Sequence, residues 1–207
     1  MSAPPQRLVV ATHNAHKLGE FQQILPGLPL ASLADFPPMP PVIEDAPDFA
    51  GNAIKKACAA HAHTGAICLA DDSGIEVAAL NWAPGVHSAR YVPGSDRDRL
   101  DALLAATADA TDRRARFTAV IAVAGLPADG PLPDGTWRQD GCVCARGVVE
   151  GVLARAPRGA DGFGYDPIFE MPDGRTTAEL PSDAKHAVSH RGRAARTLLP
   201  LLRHIFR

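Results

Sequence analysis

Residues 7–25 read RLVVATHNAHKLGEFQQIL. Arg7–Thr12 is an apolar run of the kind buried on both faces of a sheet. Asn14 is placed to cap a helix from Ala15 to Leu25, with Leu18, Phe21 and Leu25 on one face. A buried strand that feeds straight into a helix is the building unit of an α/β protein. The rest of the chain continues in that style. A short extended piece at Leu30–Leu33 is followed by Pro37, Pro38, Pro40 and Pro41, which deny backbone donors and force a loop. Asp48 can cap a second helix over Phe49–His63.

Further on, Ala66–Ala70 reads as a second buried strand, ending in a turn at Asp71-Asp72-Ser73-Gly74, with Ile75–Val77 beyond it. Residues 95–106 read as helix and Phe117–Ala124 as strand. Gly130–Gly135 is a Pro/Gly-rich hairpin loop, and Trp137–Cys144 and Gly147–Leu153 are two further strands. Pro157–Gly164 is a Gly-rich loop. One last helix is expected from Asp183, capped by Ser182, with Val188, Ala195 and Leu199 on a shared face and Pro200 kinking or ending it. Strands mixed with helices throughout predict an α/β class in one domain, residues 1–207.

Composition bounds what such a domain can do. At 207 residues, 46% hydrophobic and 21% charged, the chain has the make-up of a globular protein with a sizeable core. No apolar run approaches the ~20 residues of a membrane span. The N-terminal MSAPPQRLVVATHN has no charged start followed by an apolar stretch of signal-peptide length, so a cytoplasmic location is expected. The net charge of −2 offers no long-range basic field for nucleic acid. An anionic ligand must therefore be held by a local cluster. There are seventeen arginines but only four lysines, at 17, 55, 56 and 185. Cys58, Cys68, Cys142 and Cys144 contain no CxxC pair, and reduced thiols are expected. Cys58, His61, His63 and Cys68 are metal-ligand types at spacings that fit known zinc sites poorly, so a metal-free set is expected.

Five segments could carry chemistry. After the first strand, Thr12 and Asn14 stand at a helix N-terminus with Lys17 one turn in, an arrangement suited to phosphate; a plain capped turn explains Asn14 equally. Asp71 and Asp72 are adjacent carboxylates that repel unless a cation is near, as Mg²⁺ would be; the alternative is a turn with Asp as local hydrogen-bonder. Glu44-Asp45 follows the stiff proline run, or is simply a solvated acidic loop. In GADGFGYDP, residues 159–167, glycines flank Phe163 and would let a flat base approach its ring, with Asp166 or neighbouring backbone at the base edge. Lys185, His190 and Arg191 could serve phosphate and base carbonyls, or form a basic exposed helix face.

In this order the segments resemble the inosine triphosphate pyrophosphatase family, hydrolases of deaminated purine nucleoside triphosphates. The matching stretches are VVATHNAHKLGEFQQIL, FAGNAIKKA, ADDSGIEV, APGVHSARY, ARF, GADGFGYDPIF and AELPSDAKHAVSHRGRA, running from about residue 8 to 199. The resemblance implies an elongated mixed central β-sheet flanked by helices, with an active-site cleft between two lobes, and a homodimer. It implies phosphate binding by Thr12, Asn14, Lys17 and Lys56, substrate contact by Ser73, and a base pocket of Phe163, Gly164, Tyr165, Asp166, Lys185, His190 and Arg191. It implies Mg²⁺ on Glu44 and Asp72, with Asp72 also the catalytic base. The expected substrate is a small purine nucleoside triphosphate, with no nucleic-acid or membrane partner.

Three positions depart from the family pattern. Gly51 stands where an acidic residue is common, which leaves Asp48 or Asp45 as outer carboxylates. His13 replaces a small residue, and 127–136 looks lengthened into a surface hairpin. The reaction implied is attack of water on the α-phosphorus, giving a monophosphate and pyrophosphate. Two other functions compete with it: a pyrophosphatase for modified pyrimidines, against which SHR and GFGYD argue, and a non-catalytic nucleotide sensor, against which the Asp71-Asp72 pair argues.

Overall fold

A computed structural model describes residues 7–12 and 14–207, the side chains of Ala15 and His16 excepted. His13 and the first six residues, part of the leader argument, lie outside the described residues. The opening stretch folds as read. β1 is Leu8–Val10, fully buried, and α1 is Ala15–Ile24, with Phe21 and Leu25 turned into the core. β2 (Leu30–Ser32) lies parallel to β1. α2 spans Phe49–Thr64, and Asp48 caps it by accepting from the Gly51 N–H at 2.7 Å.

Where two strand pieces and a turn were expected, β3 runs unbroken from Ile67 to Val77. It pairs antiparallel with β4 (Arg114–Ala124), so that Asp71 faces Ile121 across the ladder and Asp72 faces Val120. The ADDSG turn is thus corrected to mid-strand. Carboxylates tolerate a sheet interior only where cations reach them, and here they do. A second correction concerns the two strands placed at 137–144 and 147–153. β5 is Thr136–Gln139, and β6 is one strand from Cys142 to Leu153. Asp140 and Gly141 make the turn between them, both with positive φ (47° and 78°), as a two-residue hairpin loop requires.

The sheet has the order β2-β1-β3-β4-β6-β5, with the short β7 (Phe169–Glu170) on β6. Among the described residues only the β1 pairings are parallel. α3 covers Asp96–Ala106. The expected last helix is two: α4, Ser182–Val188, and α5, His190–Ile205. Ser189 breaks them apart with an extended backbone and caps α5 by accepting from the Gly192 N–H. Ser182 is no cap; its hydroxyl lies against Gln23 and His186. Val188 is exposed rather than sharing a face with Ala195. Pro200 lies on the outer side of α5 and does not end it, because Ala195, Leu198 and Leu202 hold both of its flanks in the core.

Among the described residues three apolar clusters make up the interior. α2 packs Ala53, Ala57 and Ala60 over one face of the sheet, against Val9, Cys68, Ala70 and Ala122. α1 and α5 pack Phe21, Leu198 and Leu202 over the other face, against Val10, Leu69 and Ile121. The far halves of β3, β4 and β6 reach into a third cluster built from Ile75, Phe117, Leu103, Tyr165 and Phe169. The long strands are therefore shared by two lobes. The side chains near Asp71–Ser73 lie at the waist between them. No helix among the described residues is long and apolar enough to cross a membrane.

Candidate active site

Successive side chains of a strand point to opposite faces. Asp71 therefore meets α1 and α5, while Asp72 meets α2. The Asp71 carboxylate, 4% exposed, accepts from Arg191 Nε and Nη2 at 3.0 and 2.8 Å, and Lys17 Nζ lies 3.2 Å away. Burial alone would raise its pKa, but Arg191 and Lys17 overcome that and hold the group well below the usual carboxylate range. Lys17 is deeply desolvated, and this lowers its own pKa despite the Asp71 partner.

Arg191 is 2% exposed. It donates to Asp71, to Ser73 Oγ at 2.8 Å, and through Nη1 to Glu20. Of the five N–H groups of a guanidinium, these contacts leave one, on Nη1, for a ligand. Lys185 bridges Asp166 Oδ2 (2.7 Å) and Glu20 Oε1 (3.2 Å) and stands 5.0 Å from the centre of the Phe163 ring. The other oxygen of Asp166 accepts from Thr177, and Oδ2 also takes the Phe163 N–H. Both oxygens of Asp166 thus tie down its own loop, which leaves any base-edge contact there to the backbone. The Gly164 N–H is itself held by Asp96 at 3.0 Å. Tyr165 is buried and donates its hydroxyl to the Ser88 carbonyl.

On the α2 side, Lys56 Nζ sits between Glu44 Oε2 (2.8 Å) and Asp72 Oδ1 (2.9 Å). Asn52, fully buried one turn earlier on the same helix, donates to Asp72 Oδ2 and accepts from the Ala46 N–H. Arg90 donates to the Glu44 carbonyl. Burial raises the Asp72 pKa against the pull of Lys56. Lys56 keeps its proton firmly, since Asp72, Asp71 and Glu44 outweigh its burial.

The two substitutes considered for an outer carboxylate are otherwise engaged. Asp48 caps α2, and Asp45 pairs with Lys55. Gly51 itself has a steric reason: a Cβ there would stand 2.6 Å from the Ala46 Cβ, in the loop that carries Glu44. The Cys58–Cys68 set points elsewhere. His61 Nδ1 meets the Ala66 carbonyl, His63 Nε2 meets that of Pro37, and Cys68 lies beside Thr64. Burial raises the Cys142 and Cys144 thiols, the latter to about 12.

Each site residue that the family resemblance implies lines one of two adjoining cavities. One, about 360 Å³, holds Thr12, Glu44, Lys56, Asp71 and Asp72. The other, about 250 Å³, holds Phe163, Gly164, Tyr165, Asp166, Lys185, His190 and Arg191. Asn14, Lys17 and Ser73 belong to both. Glu20, Asn52, Phe117 and Asp96 escaped the reading of the sequence. A trace of two of them was present: Glu20 falls one turn after Lys17, and Asn52 one turn before Lys56, each on the same helix face.

The Ham1 family model matches residues 8–201. A dITP/XTP pyrophosphatase of Symbiobacterium thermophilum is 50% identical over 191 residues, 91% of each chain. The dITP/XTP pyrophosphatase of Streptomyces coelicolor is 44% identical, over 96% of this chain and 98% of its own. The structure of a HAM1 protein from Coxiella burnetii superposes with a TM-score of 0.82 at 41% identity, covering 96% of this chain and 99% of that one. The mixed sheet flanked by helices and the ordered motifs of the site thus have one common source: the chain belongs to the Ham1 family.

Proposed function

We propose that the protein hydrolyses deaminated purine nucleoside triphosphates, such as ITP, dITP and XTP, to the monophosphate and pyrophosphate, and so keeps them out of nucleic acid. The observation that carries this reading is the pair of adjoining cavities. One offers carboxylates and lysines and the other an aromatic ring with donors, and Asn14, Lys17 and Ser73 bridge them. A nucleotide has that polarity, with charge at one end and a flat base at the other. The dITP/XTP pyrophosphatase relatives support the same substrate class.

Glu44 and Asp72 suit Mg²⁺, and their chemistry is the test of fit. Two carboxylates already close on one cationic nitrogen, that of Lys56. Mg²⁺ favours one or two carboxylates, with water and phosphate oxygens completing its shell. When bound, it would supply charge neutralisation for the departing pyrophosphate. The residues of the chain do the rest. Thr12, Asn14 and Lys17 hold the phosphates. Lys56, released from the carboxylates, holds the leaving group. Asp72 orients a water toward the α-phosphorus and takes its proton as the bond to the β-phosphate oxygen breaks. A 6-oxo base presents an acceptor to the remaining Arg191 donor, to His190 and to backbone N–H groups. Adenine presents an amino donor in its place and leaves them unpaired, at about 1–3 kcal/mol each.

A homodimer in the cytoplasm belongs to the same proposal, and light scattering reads its first half. The deciding assay is pyrophosphate release from ITP, XTP, GTP and ATP, with and without Mg²⁺. The expected result is Mg²⁺-dependent release favouring ITP and XTP, lost in a folded Asp72→Asn variant. Preference for modified pyrimidine triphosphates, binding without turnover, or full activity of Asp72→Asn would each overturn it.

A further inference from the structure

His190 opens α5, and its backbone is fixed there. Ser189 caps the helix, and Gly147 of β6 lets the turn come down onto the sheet; a Cβ on Gly147 would stand 2.0 Å from the His190 carbonyl oxygen. Its ring is held differently. Among the described residues, neither imidazole nitrogen makes a hydrogen bond to protein, although the ring lines the smaller cavity. A histidine is ordinarily oriented by a bond to one of those nitrogens. Here the ring instead lies on the face of Phe117, with centroids 4.8 Å apart and planes 14° from parallel. Phe117 comes from β4, in register with Ile75 and Val149, and is backed by Phe169 at 4.5 Å. The stack is therefore the contact that sets the plane of the imidazole.

We propose that Phe117 is a positioning residue for base recognition, fixing the His190 ring so that its two nitrogens meet the purine edge in one orientation. The proposal deepens the reading above and rests on it, since it takes this cavity as the purine pocket. The charge state suits such a role. Burial, then Arg191 on the same helix, Lys185 on α4 and Lys17 on α1, push the His190 pKa well below its ordinary value, with Asp71 on β3 opposing. A neutral ring offers one donor and one acceptor, and so discriminates by pattern rather than by charge.

The test uses Phe117→Leu, which removes the ring face, and Phe117→Tyr, which keeps it. Phe117→Leu is expected to lower kcat/KM for ITP and XTP about tenfold, mostly through KM, and to shrink the ITP-to-ATP ratio by a similar factor. Phe117→Tyr should restore both. The His190 ring proton signals should not titrate between pH 8 and 5.5 in the parent, and should begin to do so in Phe117→Leu. A double variant with His190→Ala should lose nothing further from the Leu change.

A merely structural Phe117 would lower all four nucleotides alike and leave the His190 signals unmoved, and that result overturns the proposal. If Phe117→Leu does not fold, Phe117→Met carries the same measurements. If the parent itself does not distinguish ITP from ATP, the substrate reading falls, and the ring titration alone then decides whether Phe117 sets His190.

Discussion

Asp71 and Asp72 are neighbours in sequence, yet each sits in a different kind of site. On the α1/α5 face, Asp71 is sealed in by Arg191 and Lys17, and Glu20 joins Arg191 to Lys185 behind it. On the α2 face, Asp72 shares Lys56 with Glu44, whose side chain is about a third exposed. The first is a closed lattice whose charges are matched within the protein. The second is an open one, with its cation held between two carboxylates at the edge of water. What separates them is the strand's alternation, which turns adjacent residues to opposite faces. A closed lattice builds a rigid wall, and an open one can exchange its cation for others.

Breaking the closed side should have the largest effect. Arg191→Ala leaves Asp71 and Glu20 buried without their main partner and should cost roughly 3–5 kcal/mol of stability. Lys56→Met, on the open side, should cost less, roughly 1–3 kcal/mol, because water can reach Glu44. Urea melts of the two variants compare them, and equal losses would abolish the distinction. The Arg191 result also governs any kinetic use of that variant. A uniform fall in activity toward ITP and ATP is expected from lost structure alone, so base discrimination is better read from Phe117 and His190.

Glycines sharpen the comparison at smaller scale. Gly147→Ala drives a Cβ into the backbone at the start of α5, whereas Gly51→Ala meets side chains, Ala46 Cβ in the Glu44 loop at 2.6 Å and Asp48 Oδ1 at 3.3 Å. Overpacking of this kind costs about 1–3 kcal/mol. Gly147→Ala should raise KM for purine triphosphates with the Mg²⁺ requirement unchanged. Gly51→Ala should raise the Mg²⁺ concentration needed for half-maximal rate and spare the base preference. Titrations of nucleotide and of Mg²⁺ on each variant check the assignment.

The smallest expected effect is a pH slope on the closed side. His190 is buried with its pKa depressed below 6.5, and burial depresses His186 as well. The unfolded chain binds protons near 6.5 and the folded one does not. The stability that these groups contribute is therefore complete above that pH and is lost as pH falls below it, at up to about 1.4 kcal/mol per pH unit for one group. Melting temperatures between pH 8 and 5.5 should fall, and His190→Gln should flatten the slope.

The same contrast explains what could be read from the sequence. α1 and α2 were legible because their caps and apolar spacing are local, and the residues that line the two cavities because their motifs occur in a recognisable order. The turn assigned to Asp71-Asp72 failed for a reason that no window of sequence contains. The cations that allow carboxylates inside a sheet come from residues 17, 56 and 191. Phe117 was invisible for the same reason, and Asn52 and Glu20 left only a helix-face trace: each matters through a partner that only the fold brings near. The break at Ser189 and the Asp140-Gly141 turn are different, since a capping serine and an Asp-Gly pair are local signals that the apolar runs around them obscured.

The scarcity of lysine gives the molecule a chemical label for its own occupancy. Lys55 stands with 44% of its side chain in water, whereas Lys17, Lys56 and Lys185 expose 19%, 15% and 9%. An amine-acylating reagent needs an accessible, unprotonated nitrogen. It will therefore modify Lys55 first. Lys17, whose proton is the least firmly held of the three shielded amines, follows, with Lys56 and Lys185 slowest. The three shielded amines lie in different parts of the two cavities and Lys55 outside them, so the order of acylation, read by peptide mass, becomes a footprint of what fills the cavities.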